Sequence, residues 1–355
     1  MYNLRNQKID FDFKPQYIKA EVHNGKLKRS RTEVGDLIMN IVGPPLGKLA
    51  IIPSSLPQAN FNQAAVLIRP LLYKTVLTKY LFYYLSEMSE INSISTKGSA
   101  GQINISLTQS QNIRVPLPPL SEQNRIITEI EYYFVLINNI EQSQIDLQTA
   151  IKQTKSKILN LAIHGKLVPQ DPSDEPASEL LKRINPKAEI TCDNAHYTQL
   201  PKGWSVAPMQ ILCSLIDGNK QNGIERINLD VKYLRGERDY KTLTSGKYIS
   251  AKSFLILVDD ENSGEVFKTP IEGYQGSTFK QLSINENMNS EYLLQVINFY
   301  RKLLRENKVG SAIPHLNKKL FKEIKVSIPP YREQQRIVDA INKAFMSLDT
   351  IMENL

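Results

Sequence analysis

PLPPLSEQNRIITEI, residues 116–130, and SIPPYREQQRIVDAI, residues 327–341, decide how this chain is organised. Laying Pro118 on Pro329 displaces the sequence by 211 residues, and the same shift lays Glu122 on Glu333, Gln123 on Gln334, Arg125 on Arg336 and Ile126 on Ile337. Weaker echoes lie upstream of each copy. TKYLFYY from Thr78 matches SEYLLQV from Ser290, KGSAG from Lys97 matches KVGSA from Lys308, and GDLIMNIV from Gly35 matches AKSFLILV from Ala251. A duplicated globular unit therefore precedes each duplicated helix start.

The hydrophobic period changes at each double proline. Asn112 to Leu117 and Glu323 to Ile328 read as strands before it, whereas a helix follows, because proline suits a first turn and Ser121 with Glu122 favours the positive end of a helix. From Ile126 the first copy runs through Ile130, Tyr133, Ile137, Ile140, Gln144, Leu147, Ile151, Thr154, Ile158 and Leu161 in steps of four and three, which is a heptad seam. A helix over 121–164 would extend roughly 65 Å and act as a spacer. The second copy keeps the rhythm through Ile337, Ile341, Ala344, Leu348, Ile351 and Leu355. The two seams are expected to pair antiparallel, and any leftover seam to bind another protein.

The chain has 355 residues, 41% hydrophobic and 23% charged, with a formal charge of +8. That length suggests two or three domains, and the charge is compatible with an acidic polymer as partner. No apolar run is long enough to span a bilayer, Met1 to Lys14 carry no signal-peptide pattern, and Cys192 and Cys213 are the two cysteines, so a reducing cytoplasm is expected. Prolines 169, 172, 176 and 186 forbid a continuous helix after Gly165, although 178–184 can form a short one. The expected domains are therefore a globular unit over 1–119, a spacer helix over 120–164, a linker over 165–199, a second globular unit over 200–329 and a second helix over 330–355. The second unit opens at LPKGW, where Trp204 is expected to anchor its core. YLRG at Tyr233 aligns with NLRN at Asn3, yet the first unit has no counterpart of LPKGW, so its amino-terminal part is expected to be shortened, as is the second helix.

PLPPLSEQNRI, IPPYREQQRI, LAIHGKLVPQDPSDEPASELL and LPKGW together resemble the specificity subunits of type I restriction-modification enzymes, in the same order and over nearly the whole chain. The resemblance implies an α+β protein with two pseudo-repeated target-recognition domains joined by long antiparallel coiled-coil helices. It also implies that each unit reads one half of a bipartite target in double-stranded DNA, and that the helices dock two methyltransferase subunits. S-adenosylmethionine would reside in those subunits, ATP and Mg in restriction/translocase subunits, and no cofactor, metal or catalytic group in this chain.

Candidate DNA contacts follow the basic residues and the repeated loops. In the second unit Lys232, Arg235, Arg238 and Lys241 are interleaved with Tyr233 and Tyr240; the first has Lys28, Arg29 and Arg31. Such side chains neutralise phosphates or read base edges, although a solvated charged face explains them equally. The loops KGSAGQ and KVGSAIPH offer Lys97, Ser99, Gln102, Lys308, Ser311 and His315, with glycines that let a ligand approach the backbone; ordinary turns are the alternative. Glu122, Gln123, Arg125, Ile126, Glu333, Gln334, Arg336 and Ile337 form a repeated candidate surface for two copies of one partner, or simply cap the helices.

Enzyme motifs occur in imitation. GPPLGKL from Gly43 is one residue short of a phosphate loop and lacks Ser or Thr after Lys48. IPPY at Ile328 has Ile where a methyltransferase motif needs Asn or Asp, and Cys192, His196 and Cys213 are too scattered for a zinc site. The competing readings are a degenerate or fused DNA methyltransferase and a coiled-coil assembly protein without a DNA role.

Overall fold

The computed structural model describes residues 3–43, 46–56, 58–87, 104–186, 200–310 and 314–355. Two compact units divide the chain, Met1–Gln142 and Ser143–Leu355. The division falls inside one continuous helix, Leu120–Ile163, whose 44 residues match the expected spacer helix closely.

In the first unit a central strand, Leu37–Asn40, pairs antiparallel with Leu49–Ile51 on one side and Ala65–Ile68 on the other. It is buried along its whole length. Side chains alternate across a strand, so Leu37 and Met39 pack with Leu49, Val66 and Leu85 on one face, while Ile38 packs with Leu4, Ala50 and Ile52 on the other. A buried carboxylate fixes the start of this strand. Asp36 accepts from the Arg69 guanidinium (2.6 and 2.8 Å) and the Glu33 N–H (2.6 Å), with Lys74 at 3.0 Å. Burial pushes its carboxyl up, but Arg69, the Glu33 N–H and Lys74 together hold it below the usual carboxylate range.

The second unit repeats this plan. Phe254–Leu257 pairs with Val266–Lys268 and with Phe279–Ile284, both antiparallel, and Cys213–Ile216 adds a fourth strand. Ile256 faces the larger core with Val258, Trp204 and Leu293, and Leu255 and Leu257 face a second cluster with Phe279. The sequence echo between Gly35 and Ala251 is thus a repeated central strand.

The repeat continues into single hydrogen bonds. Helices Lys74–Ser86 and Ser290–Glu306 follow the sheets, and Tyr80 and Tyr292 each donate their hydroxyl at 2.8 Å, to the carbonyls of Pro116 and Ser327. Bridges join Val42 to Asn104 and Asp259 to His315 at equivalent places. Short helices Leu107–Gln111 and Lys318–Glu323 are N-capped by Ser106 and Asn317. Gln123 and Gln334 each reach back at 2.9 Å to the carbonyl of Pro118 or Pro329, closing the turn that starts the next helix.

Three expectations are corrected. Residues 165–186 are no free linker: Ala177, Leu180 and Leu181 of helix Ala177–Ile184 enter the second unit's core beside Trp204. Asn112 to Leu117 form no strand, whereas Lys325–Ile328 pairs with Ser205–Pro208; among the described residues the first unit has no counterpart of that partner. NLRN and YLRG differ in backbone, Leu4 lying in strand Leu4–Arg5 and Leu234 ending helix Val231–Leu234.

Within the second unit, residues 143–163 of the long helix run antiparallel to the last helix, Tyr331–Glu353. Gln144 bonds the Leu355 carbonyl, Lys155 pairs with Asp349 and lies 5.1 Å from the Phe345 ring centre, and Leu159 and Ile163 share a core with Ile337, Val338 and Ile341. The packed stripe uses Ile151, Leu159 and Ala162 rather than Leu147 and Thr154, which are exposed. A straight helix turns in 3.6 residues, so a strict heptad drifts off the packed line.

Candidate nucleic-acid interface

The second unit carries a long antiparallel ribbon, Asn219–Leu229 with Thr242–Ile249, in register from Asn219 opposite Tyr248 to Asn222 opposite Ser245. An irregularity between Asn222 and Arg226 shifts the pairing before Arg226 meets Leu243, and such bulges strengthen local twist. Gly273–Gln275 pairs with both strands and closes them into a small barrel. Buried Leu229, Ile249 and Phe279 fill its base.

One tyrosine anchors the ribbon. Tyr274 is fully buried and its hydroxyl donates to the Ile224 carbonyl at 2.7 Å. Its ring passes so close to Gly246 that a Cβ there would lie 2.7 Å from it, so the strand approaches only because that residue has no side chain. Beyond this anchor the ribbon is exposed and mostly polar, presenting Asn219, Lys220, Asn222, Glu225, Thr242, Thr244 and Ser245 beside the exposed Ile224 and Leu243. A two-stranded ribbon fits the major groove of B-DNA, and amide, hydroxyl and amino groups are those that read base edges and phosphates there.

Charge along this surface sorts into two kinds. Arg226 pairs with Glu272 and stacks 4.6 Å from the Tyr248 ring centre, while the Tyr248 hydroxyl donates to Glu272 at 2.8 Å. Lys280 (2.7 Å) and Lys247 (2.9 Å) bracket Asp217 and hold its carboxyl far below the usual range. These groups are taken up within the fold. By contrast, exposed Lys220, Lys232, Lys241 and Lys252 make no ion pair among the described residues, and they are the cations free to meet phosphate.

Of the residues singled out from the sequence, Lys232 and Lys241 are exposed beside the ribbon. Arg235 pairs with Glu265 and Arg238 with Asp230, whose other oxygen caps helix Val231–Leu234 through the Tyr233 N–H (3.1 Å), so both arginines hold the loop over 230–241. Lys308 donates to the Glu261 carbonyl (3.0 Å), and the His315 ring meets Asp259 at 2.7 Å. In the first unit Lys28 and Arg29 are exposed, and Arg31 bonds the His23 carbonyl and Asn24. Lys97, Ser99, Gln102, Ser311, Cys192 and His196 lie outside the described residues. Cys213 is a buried free thiol whose pKa burial pushes up to about 12.

The repeated helix starts have different surroundings. Glu333, Gln334 and Ile337 are buried in the second unit, so these side chains present nothing to a partner. Glu333 accepts from the Trp204 indole N–H (3.1 Å) and the Gln170 amide (3.2 Å), and Arg336 pairs with Asp174 at 2.6 Å. Burial nevertheless raises the Glu333 carboxyl above its ordinary pKa, the bonds from Gln170 and Trp204 offsetting part of that. In the first unit Gln123 is buried, Glu122 and Ile126 are half-buried, and Arg125 is exposed. Sequence reasoning missed both this lock and the ribbon. The alternation of Asn, Gln, Lys and Arg over 219–226, punctuated by Gly223 and Gly246, was the available signal for the ribbon.

Two repeated α+β units, each leading through a double proline into a long helix, define a duplicated scaffold. The chain belongs to the type I restriction modification DNA specificity domain family, whose model matches residues 5–149 and again 201–355. It is 29% identical over 255 residues to the type I restriction enzyme EcoEI specificity subunit of Escherichia coli, covering 59% of this chain and 41% of that protein. It is 21% identical over 367 residues to the putative type I restriction enzyme MjaX specificity subunit of Methanocaldococcus jannaschii, covering 99% of this chain and 79% of that protein. The match thus spans less than half the length of the E. coli relative. Among solved structures, a chain from a study of complex assembly and conformational transition of the type I R-M system matches with a TM-score of 0.61 at 16% identity, over 91% of this chain and 77% of that one. The HsdS subunit from Thermoanaerobacter tengcongensis gives 0.52 at 16% identity, over 91% and 76%. Among the described residues no helix is long and apolar enough to cross a membrane.

Proposed function

We propose that this chain is the DNA sequence-recognition subunit of a type I restriction-modification complex, reading a bipartite target in duplex DNA and performing no chemistry itself. The observation that carries the reading is the anchored ribbon of the second unit, whose exposed half bears Asn219, Lys220, Asn222, Thr244 and Ser245 next to uncommitted Lys232 and Lys241. On this reading the ribbon faces bases and the lysines face phosphates. Arg235 and Arg238 position the loop that carries Lys232 and Lys241. In the first unit Lys28 and Arg29 take the phosphate role, with the loops holding Lys97, Ser99, Gln102, Lys308, Ser311 and His315 as further contacts.

The exposed middle of the long helix, including Tyr133, Ile137 and Ile140, supports docking of two methyltransferase subunits that bring S-adenosylmethionine. Glu122, Arg125 and Ile126 border one docking face, while Glu333, Gln334, Arg336 and Ile337 shape the other from within. Restriction/translocase subunits with ATP and Mg complete the complex.

The test is fluorescence anisotropy of the chain, with its methyltransferase partner, on duplex DNA at several salt concentrations. Affinity should fall as salt rises, and replacing Lys220, Lys232 and Lys241 by Glu should weaken binding and flatten the salt slope by about one for each phosphate left unneutralised. An unchanged slope removes the assignment. Binding of S-adenosylmethionine by the purified chain alone favours the methyltransferase alternative.

A further inference from the structure

Asn-Gly occurs twice in the chain, at Asn24-Gly25 and at Asn222-Gly223. In such a pair the glycine nitrogen can attack the carbonyl carbon of the asparagine side chain, because no Cβ shields its approach. How readily it does so depends on how the fold holds the two groups.

At the first pair both reacting groups are engaged. The Asn24 amide oxygen accepts from the Arg31 guanidinium, and the Gly25 N–H donates to the Glu21 carbonyl at 2.8 Å, ending helix Ala20–Asn24. A Cβ on Gly25 would lie 2.9 Å from that same oxygen, so the backbone is also crowded. The related Asp217-Gly218 pair is restrained in the same way. Lys280 and Lys247 bracket the Asp217 carboxylate, the Gly218 N–H donates to the Gln275 side chain (3.1 Å), and a Cβ on Gly218 would lie 2.1 Å from the Tyr248 carbonyl oxygen.

Asn222-Gly223 is held less tightly. Asn222 is exposed, and its side chain makes no hydrogen bond among the described residues. It is the last residue in the ribbon's first register, and pairing resumes at Arg226 opposite Leu243, so Gly223 sits in the irregularity. Its φ is +78°, and a Cβ built there would find nothing within 4 Å.

We infer that Asn222 is a site of spontaneous deamidation whose product disables the ribbon as a reader of bases; the second half rests on the function proposed above. The Gly223 nitrogen, after losing its proton, bonds to Cγ of Asn222, and the side-chain nitrogen departs as ammonia to leave a succinimide ring. Water then adds to either ring carbonyl and reopens the ring, giving aspartate, or isoaspartate where the chain runs on through the former side chain. Nothing is oxidised or reduced. An amide that both donates and accepts becomes an acceptor-only carboxylate on the strand face it shares with Lys220. It loses the donor-acceptor pair with which asparagine reads adenine, and it repels phosphate.

The test holds the full-length chain in warm, mildly alkaline buffer and maps samples over time by mass spectrometry. The peptide containing Asn222 should gain the mass of an amide-to-acid exchange and split into aspartate and isoaspartate peaks, faster as pH rises. The peptide containing Asn24 should react about tenfold more slowly or slower still, because two hydrogen bonds must open first. In urea the two sites should react at similar rates. In parallel, each sample with its methyltransferase partner is titrated against duplexes that the fresh chain selects from a random pool. Affinity should fall in step with conversion, and Asn222→Asp should bind about tenfold or more weakly than the fresh chain. Asn222→Gln, which needs a larger ring to close, should lose nothing further on incubation. An intact Asn222, or equal rates at both asparagines in the folded chain, overturns the inference, as does undiminished affinity after conversion. A fresh chain that selects no duplex overturns the proposed function and with it the second half, while the masses decide the first.

Discussion

Replacing Arg336 by Ala should destabilise the second unit more than replacing its partner Asp174. The Asp174 side chain is 2% exposed and that of Arg336 is 36% exposed. Removing the arginine strands a carboxylate inside the segment over 165–186, while removing the carboxylate leaves a guanidinium that already reaches water. Breaking a buried pair costs about 3–5 kcal/mol, and the partial exposure of Arg336 lowers this to roughly 2–3 kcal/mol. Asp174→Ala loses an ion pair whose cation already reaches water, about 1 kcal/mol or less. Urea unfolding followed by Trp204, the sole tryptophan, reads the affected site directly, since its indole bonds Glu333 in the same lock. With a slope of about 2–3 kcal/mol/M, Arg336→Ala should lower the midpoint by roughly 1 M and Asp174→Ala by less than half of that. The double variant should fall between them. Equal shifts, or a larger shift for Asp174→Ala, would refute the account of the lock.

Two further outcomes follow from the same unit. The buried Glu333 carboxyl holds its proton more tightly when folded than when unfolded, so its contribution is full below its ordinary pKa and lost as pH rises through the raised one; Glu333→Gln should abolish this part of the decline in thermal midpoint above about pH 4.5, and an unaltered pH profile would show that Glu333 is not its source. Cys213, with its thiol pushed up to about 12 by burial, should resist iodoacetamide at about pH 8 in a Cys192→Ser background until urea unfolds the unit, and rapid native labelling seen by mass spectrometry would contradict its burial.

Much of the fold is legible in the repeat. Proline pairs fix where each long helix begins, and a 211-residue shift lays buried Gln123 on buried Gln334 because both close the same turn. Trp204 is legible as a core anchor because an indole beside a glycine turn has few other uses. What local pattern could not convey is how distant segments share one surface. Residues 112–117 have strand composition yet pair with no strand among the described residues, and 165–186 have linker composition yet bury Leu180 and Leu181, since pairing and burial depend on what arrives from elsewhere. Basic residues were legible as charges, but Arg235 and Arg238 are consumed by Glu265 and Asp230, which only the folded loop brings to them. The seam of the long helix was legible in rhythm and misjudged in phase, because about 20° of drift per heptad accumulates over its length.

The central claim is that two repeated units of this chain turn two short DNA readings into one address. The direct measurement is genome-wide mapping of methylated bases in cells that carry this gene with its methyltransferase partner, repeated with the ribbon residues Asn219, Lys220 and Asn222 replaced by Ala. A two-part motif is expected, with the variant losing or altering one part and keeping the other. A motif without a second part, one that ribbon changes leave intact, or no methylation dependent on the chain would contradict the claim.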